Sequence, residues 1–177
     1  ALGGVDQFLQ VLHPVGAVAV AAVMLDEARV LQHQLDDLAQ GQAAGALAQL
    51  VDQLLARGAS ATQITQLVAR LSDQLVQRVM TLVSRDLGEP PVPVTWLCFG
   101  SEAREEQTLH TDQDNGLWFV AAAEQAESVR QRLLPWAAAV NQALDVLGLS
   151  WCAGGIMAGQ PACCLSAAEW RQRFFDL

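Results

Sequence analysis

The 177 residues suffice for one ordinary domain, or a small domain with a helical attachment, and more than two domains are not expected. Ten basic residues face nineteen acidic ones for a formal net charge of −9, and all ten are arginine. The lack of lysine excludes a P-loop lysine, a Schiff-base lysine and a lysine-rich nucleic-acid tract, and the acidic balance repels phosphate backbones, so no nucleic-acid partner is expected.

The apolar run at residues 15–25 is too short for a bilayer, which needs roughly 20 residues, and reads as a buried Ala-rich helix; no membrane partner is expected. Met24, Ala28, Leu31, Leu35 and Leu38 then recur at helical spacing, and Leu47, Leu50, Val51, Leu54 and Leu55 repeat the pattern up to Gly58. A stronger stripe runs Ile64, Leu67, Val68, Leu71, Leu75, Val79 and Leu82, with Ser60 and Thr62 as caps and Gly88 as the stop. Such stripes are core positions, so these helices carry no expected chemistry. Residues 1–90 are thus read as an N-terminal helical segment, and His13 and His33 within it as incidental.

Glu89 and the prolines at 90, 91 and 93 end the third helix, and the composition changes. VTWLCF (94–99) and NGLWFV (115–120) read as buried strands. A long helix is expected over 123–147, with Pro135 as a kink and Gly148 as its stop, followed by a third strand over 149–155 and a last helix over 166–175. Residues 91–177 therefore read as an α+β or α/β domain, a small sheet flanked by helices. The four cysteines, Cys98, Cys152, Cys163 and Cys164, form no C-x-x-C pair, and a bridge between the adjacent last two would be strained, so reduced thiols in a cytoplasmic protein are expected. The missing initiator methionine and the ending WRQRFFDL point to a segment of a longer protein.

Between the first two strands lies GSEAREEQTLHTDQDN (100–115), the most polar stretch of the chain. Gly100 and Ser101 follow a strand, where glycine permits close backbone approach and successive N–H groups can meet an anion. Asp112 and Asp114 stand two apart at the mouth of the next strand, so both carboxylates share one face and repel unless a cation lies between them. Hard divalent ions take such oxygen sites and complete their shell with substrate phosphates and water. Arg104 is the cation nearest in sequence, placed to contact phosphate or to tie down neighbouring acids. Ser101 doubles as a helix N-cap with Glu102 favouring the dipole; Glu105, Glu106 and Gln107 read as solvated or structural, Thr108 and Thr111 as loop hydrogen-bonders, and His110 as exposed.

A glycine-serine turn, ten further residues and Asp-x-Asp leading into a strand resemble the nucleotidyltransferase superfamily that includes DNA polymerase β. More narrowly, GSEAREEQTLHTDQDNGL, CAGGIMAGQP (152–161) and EWRQRF (169–174) are similar to a bacterial family of nucleotidyltransferase-type domains related to the PII-protein uridylyltransferase and found beside cyclic-nucleotide-binding and CBS domains. The resemblance implies a polymerase-β-like fold, Gly100, Ser101 and Arg104 on the triphosphate, and Asp112 and Asp114 as catalytic ligands of Mg²⁺ or Mn²⁺. It also implies transfer of a nucleoside monophosphate from a nucleoside triphosphate to a hydroxyl, plausibly on a protein acceptor, within a signal-transduction protein. Superfamily members add a third carboxylate from a later strand; the equivalent LGLSWCAGG has none, and Asp145 lies a helical turn upstream. The alternative is therefore a catalytically inert nucleotide-binding module that relays signals between attached domains.

Overall fold

The computed structural model describes residues 43–108 and 111–175. The helix expected over 24–38, the apolar run at 15–25 and all three histidines lie outside them. The chain divides into two compact units, residues 1–64 and 65–177.

In the first unit, helix α1 (Ala43–Ala56) buries Leu50, Val51 and Leu54 on one stripe. Gly58, at φ +84°, ends it as expected, and the N–H groups of Gly58 and Ala59 take up the carbonyls of Leu55 and Leu54 at 3.0 Å each. Helix α2 (Ala61–Leu87) then starts on a reciprocal cap: the Ser60 N–H donates to Gln63 Oε1 at 2.9 Å, and the Gln63 N–H returns to Ser60 Oγ at 3.3 Å. Ser60 is the cap foreseen from the sequence, while Thr62 lies inside the helix.

The second unit is a three-stranded sheet flanked by helices, the mixed α+β architecture expected of the chain. Strand β1 (Val94–Cys98) pairs antiparallel with β2 (Asn115–Phe119), from Val94 opposite Phe119 to Cys98 opposite Asn115. A four-residue turn of helix, α3 (Gly100–Ala103), follows β1. After β2 and a 3-10 turn at Ala123–Gln125 comes α4 (Ala126–Val146), one continuous helix with Pro135 inside it. Strand β3 (Cys164–Ser166) pairs parallel to β2, and α5 (Ala167–Phe175) closes the unit. Val76 and Val79 of α2, Leu117 and Phe119 of β2, and Leu133, Trp136, Ala137, Val140 and Leu144 of α4 make one core, each valine, leucine or phenylalanine among them worth roughly 1.5–3 kcal/mol on full burial. β2 is the central strand and is buried on both faces, which is why its sequence is nearly all apolar.

The third strand does not form over 149–155. That stretch makes a single parallel bridge, Ser150 with Asp112, and then turns at Gly154 and Gly155, where the Gly155 N–H donates to the Cys152 carbonyl at 3.0 Å. The strand that completes the sheet is the three-residue Cys164–Ser166, held by Arg130 of α4, whose Nε donates to the Cys164 carbonyl at 2.8 Å and whose guanidinium also pairs with Glu127 and Glu169. Among the described residues no helix is long and apolar enough to cross a membrane.

Candidate active site

The ladder between β1 and β2 brings both halves of the polar motif to one end of the sheet. Past the last strand pair, the Phe99 N–H still donates to the Asp114 carbonyl at 2.8 Å, so Gly100 leaves β1 directly beside Asp114. Gly100 sits at φ +58°, and a β-carbon there would lie 2.4 Å from Asp114 Oδ2. Only glycine lets the turn approach the carboxylate this closely.

Residues 112–115 alternate as an extended chain must: Asp112 is exposed and Asp114 partly so, while Gln113 and Asn115 are buried. The buried pair meets Asn141 of α4, whose Nδ2 donates to Gln113 Oε1 at 2.8 Å and to Asn115 Oδ1 at 3.0 Å. Gln113 Nε2 donates to the carbonyls of Asn141 and Leu149 at 2.9 and 2.8 Å. The N–H groups of Ala158 and Gly159 close the network on Asn115 Oδ1 and Asn141 Oδ1, at 2.8 and 2.7 Å. Side-chain amides thus do what a full third strand would have done, fixing the 148–159 connection against the Asp-bearing segment.

That connection delivers a residue the sequence reading passed over as a site member. One ligand atom from each of Asp112, Asp114 and Cys152 lies within 4.8 Å of the other two. The two carboxylates therefore converge as expected, and the stretch searched for a third acid contributes a thiol instead. The available signal was position: Cys152 stands just before the glycine turn in the stretch equivalent to the family's third strand.

Ser101 is not the helix cap; Phe99 occupies that position without a side-chain hydrogen bond, because α3 begins at Gly100 itself. The Ser101 hydroxyl instead stands 3.4 Å from that of Thr111, linking the turn to the segment that carries Asp112. Arg104 is exposed and pairs with Glu106 at 2.8 Å, the tying-down role of the two foreseen for it. Gln107 is buried with neither amide atom hydrogen-bonded.

Glu102 stands in the first turn of α3, where an acid was expected to favour the dipole, and it is buried there. Its side chain is 9 % exposed, and its Oε1 has no hydrogen-bond partner. Burial, then the charge of Asp73 on α2, push its carboxyl up to about 7, against the pull of the Cys98 thiol and with a further push from Asp114. Burial also pushes Cys98 up to about 12, with Glu102 and Asp73 adding to it. The motif end of the sheet is thus strongly negative. A groove of about 670 Å³ lies elsewhere, between α2 and the proline segment, with Trp136 in its lining.

The sequence model of a family described as "Putative nucleotidyltransferase DUF294" matches residues 45–177. The chain belongs to that family. The matched span runs from α1 through the motif and the connection bearing Cys152 to the end of α5, so the site lies wholly within the nucleotidyltransferase family's domain. No curated protein and no solved structure gave a significant match.

Proposed function

We propose that this member of the nucleotidyltransferase family transfers a nucleoside monophosphate from a nucleoside triphosphate to a hydroxyl acceptor, with Mg²⁺ or Mn²⁺ held by Asp112 and Asp114. The observation that carries the reading is the convergence of these two carboxylates against the Gly100 turn. Two acids this close, with Glu102 behind them, repel each other and any polyphosphate; a divalent cation removes both objections, and their oxygen donors suit one. When bound, the metal offsets charge on the phosphates and on the departing pyrophosphate, worth several kcal/mol of barrier in general.

The protein's own residues supply position. The bare backbone of Gly100 lets the turn lie against Asp114, the Ser101 and Thr111 hydroxyls stand 3.4 Å from each other across the turn and the Asp112 segment, and the Gln113–Asn115–Asn141 network holds the aspartates in place. The acidic chain favours a protein hydroxyl over a nucleic acid as acceptor, within a cytoplasmic signalling protein carrying further domains.

One observation favours the second reading, a nucleotide-binding module without turnover. Among the described residues, the third ionisable group at the aspartate pair is the Cys152 thiol, not a carboxylate able to serve as base toward a hydroxyl. Titration with ATP, UTP, CTP and GTP, with and without Mg²⁺, combined with a pyrophosphate-release assay, separates the two. Metal-dependent binding with pyrophosphate release supports transfer; binding without release supports the module; no binding by any nucleotide removes both.

A further inference from the structure

We infer that Asp73, Cys98 and Glu102 form a second cation site, separate from the aspartate pair, that takes Zn²⁺ or a similar borderline divalent metal and ties α2 to the turn that follows β1. The three residues come from three elements: Asp73 from the middle of α2, Cys98 from the last position of β1, and Glu102 from α3. One donor atom of each lies within 4.8 Å of the other two. Tetrahedral zinc, with Zn–S of about 2.3 Å and Zn–O of about 2.0–2.2 Å, needs only a small inward movement from such a starting arrangement.

The second observation is the state of Glu102 itself. More than nine-tenths of its side chain is out of solvent, at the cluster, and Oε1 finds no donor there. A buried carboxylate oxygen is ordinarily met by N–H groups or a cation, because leaving it unmet forfeits its hydration for nothing. The charged neighbours acting on the cluster are mostly of the same sign: Asp73 and Asp114 act on Glu102, and Glu105 acts on Asp73, with Arg70 tempering Asp73 alone. Asp73 raises Glu102, and both raise Cys98, so negative charge is disfavoured across the cluster, a frustration that a divalent ion would relieve.

The donor set selects the metal. One sulfur and two carboxylates suit zinc better than Mg²⁺, which demands oxygen ligands, and three protein ligands leave a fourth position for water through the exposed Asp73 side. Binding displaces the thiol proton of Cys98 and any proton on Glu102 to solvent. The two clusters share no residue, so this site stands or falls independently of nucleotide transfer.

The test is titration of the full chain with Co²⁺, a spectroscopic stand-in for zinc, following the near-ultraviolet thiolate-to-cobalt band and metal content, with Zn²⁺ as competitor. The expected result is a band that Zn²⁺ abolishes, that Cys98→Ser removes, and that Cys152→Ser and Asp112→Asn/Asp114→Asn leave in place. Asp73→Asn, on the exposed side of α2, keeps the fold and should weaken binding by at least the roughly 10–100-fold that loss of a mere supporting partner costs. No band in the wild-type chain, a band lost in Cys152→Ser but kept in Cys98→Ser, or unchanged affinity in Asp73→Asn would each overturn the inference.

Discussion

Gly100 and Asp114 touch: a methyl group on the glycine would lie 2.4 Å from the carboxylate oxygen, and the glycine backbone is already in the left-handed region at φ +58°. Gly100→Ala therefore meets two penalties. The backbone conformation costs about 1–2 kcal/mol for any residue with a β-carbon, and the methyl drives the Asp114 carboxylate away from Asp112. The expected outcome is a lower melting temperature together with a tenfold or greater loss of Mg²⁺-dependent nucleotide affinity, measured by calorimetry. A variant equal to wild type in both would mean that turn and carboxylate are not in contact.

Asp112→Asn and Asp114→Asn should separate function from stability. Both side chains are solvated in part and their mutual repulsion is relieved by the change, so the melting temperature should hold or rise slightly. On the proposed role, loss of one aspartate should remove several kcal/mol of barrier lowering, about a hundredfold or more in rate. Pyrophosphate release and metal-dependent binding should fall together in either variant, and a variant that kept both would take its aspartate out of the site.

The placement of the motif was legible because it is set locally. Gly100, Ser101, Asp112 and Asp114 are set by a strand-turn-strand unit whose alternation and glycine can be read directly, and the capping of α2 by Ser60 is equally a matter of neighbours in sequence. What could not be read depends on distant partners. Cys164–Ser166 is too short to announce itself as a strand and exists because β2 and Arg130 hold it. Glu102 reads as a first-turn acid favouring a helix dipole, and nothing local says that α2 brings Asp73 to it. Gln113, Asn115 and Asn141 carry no local sign of pairing, because their partners lie 26 or 28 residues apart.

That amide network gives the third prediction. Asn141→Ala strands Gln113 Oε1 and the Gly159 N–H in a buried site, since both depend on the Asn141 side chain. At about 1–3 kcal/mol for each unmet buried group, the variant should lose about 2–6 kcal/mol in urea unfolding. Asn141→Asp keeps the shape but cannot donate to Gln113 and Asn115, so it should be no better. A loss under 1 kcal/mol in both would mean that water replaces the network.

Glu102 gives a pH dependence with a definite sign. Its carboxyl is raised from 4.5 to about 7 in the folded chain, burial being the largest cause, so between those values the native state holds a proton that the unfolded state has released. Stability from this group is therefore greatest below about 4.5, falls as pH rises to about 7, and stays lower above it, by on the order of 3 kcal/mol in total. Glu102→Gln carries no such proton, so in chelator-treated buffer its unfolding free energy should decline less than that of wild type across this window and exceed it at pH 8. Parallel curves for the two proteins would mean that Glu102 titrates normally and that its carboxylate is met by solvent.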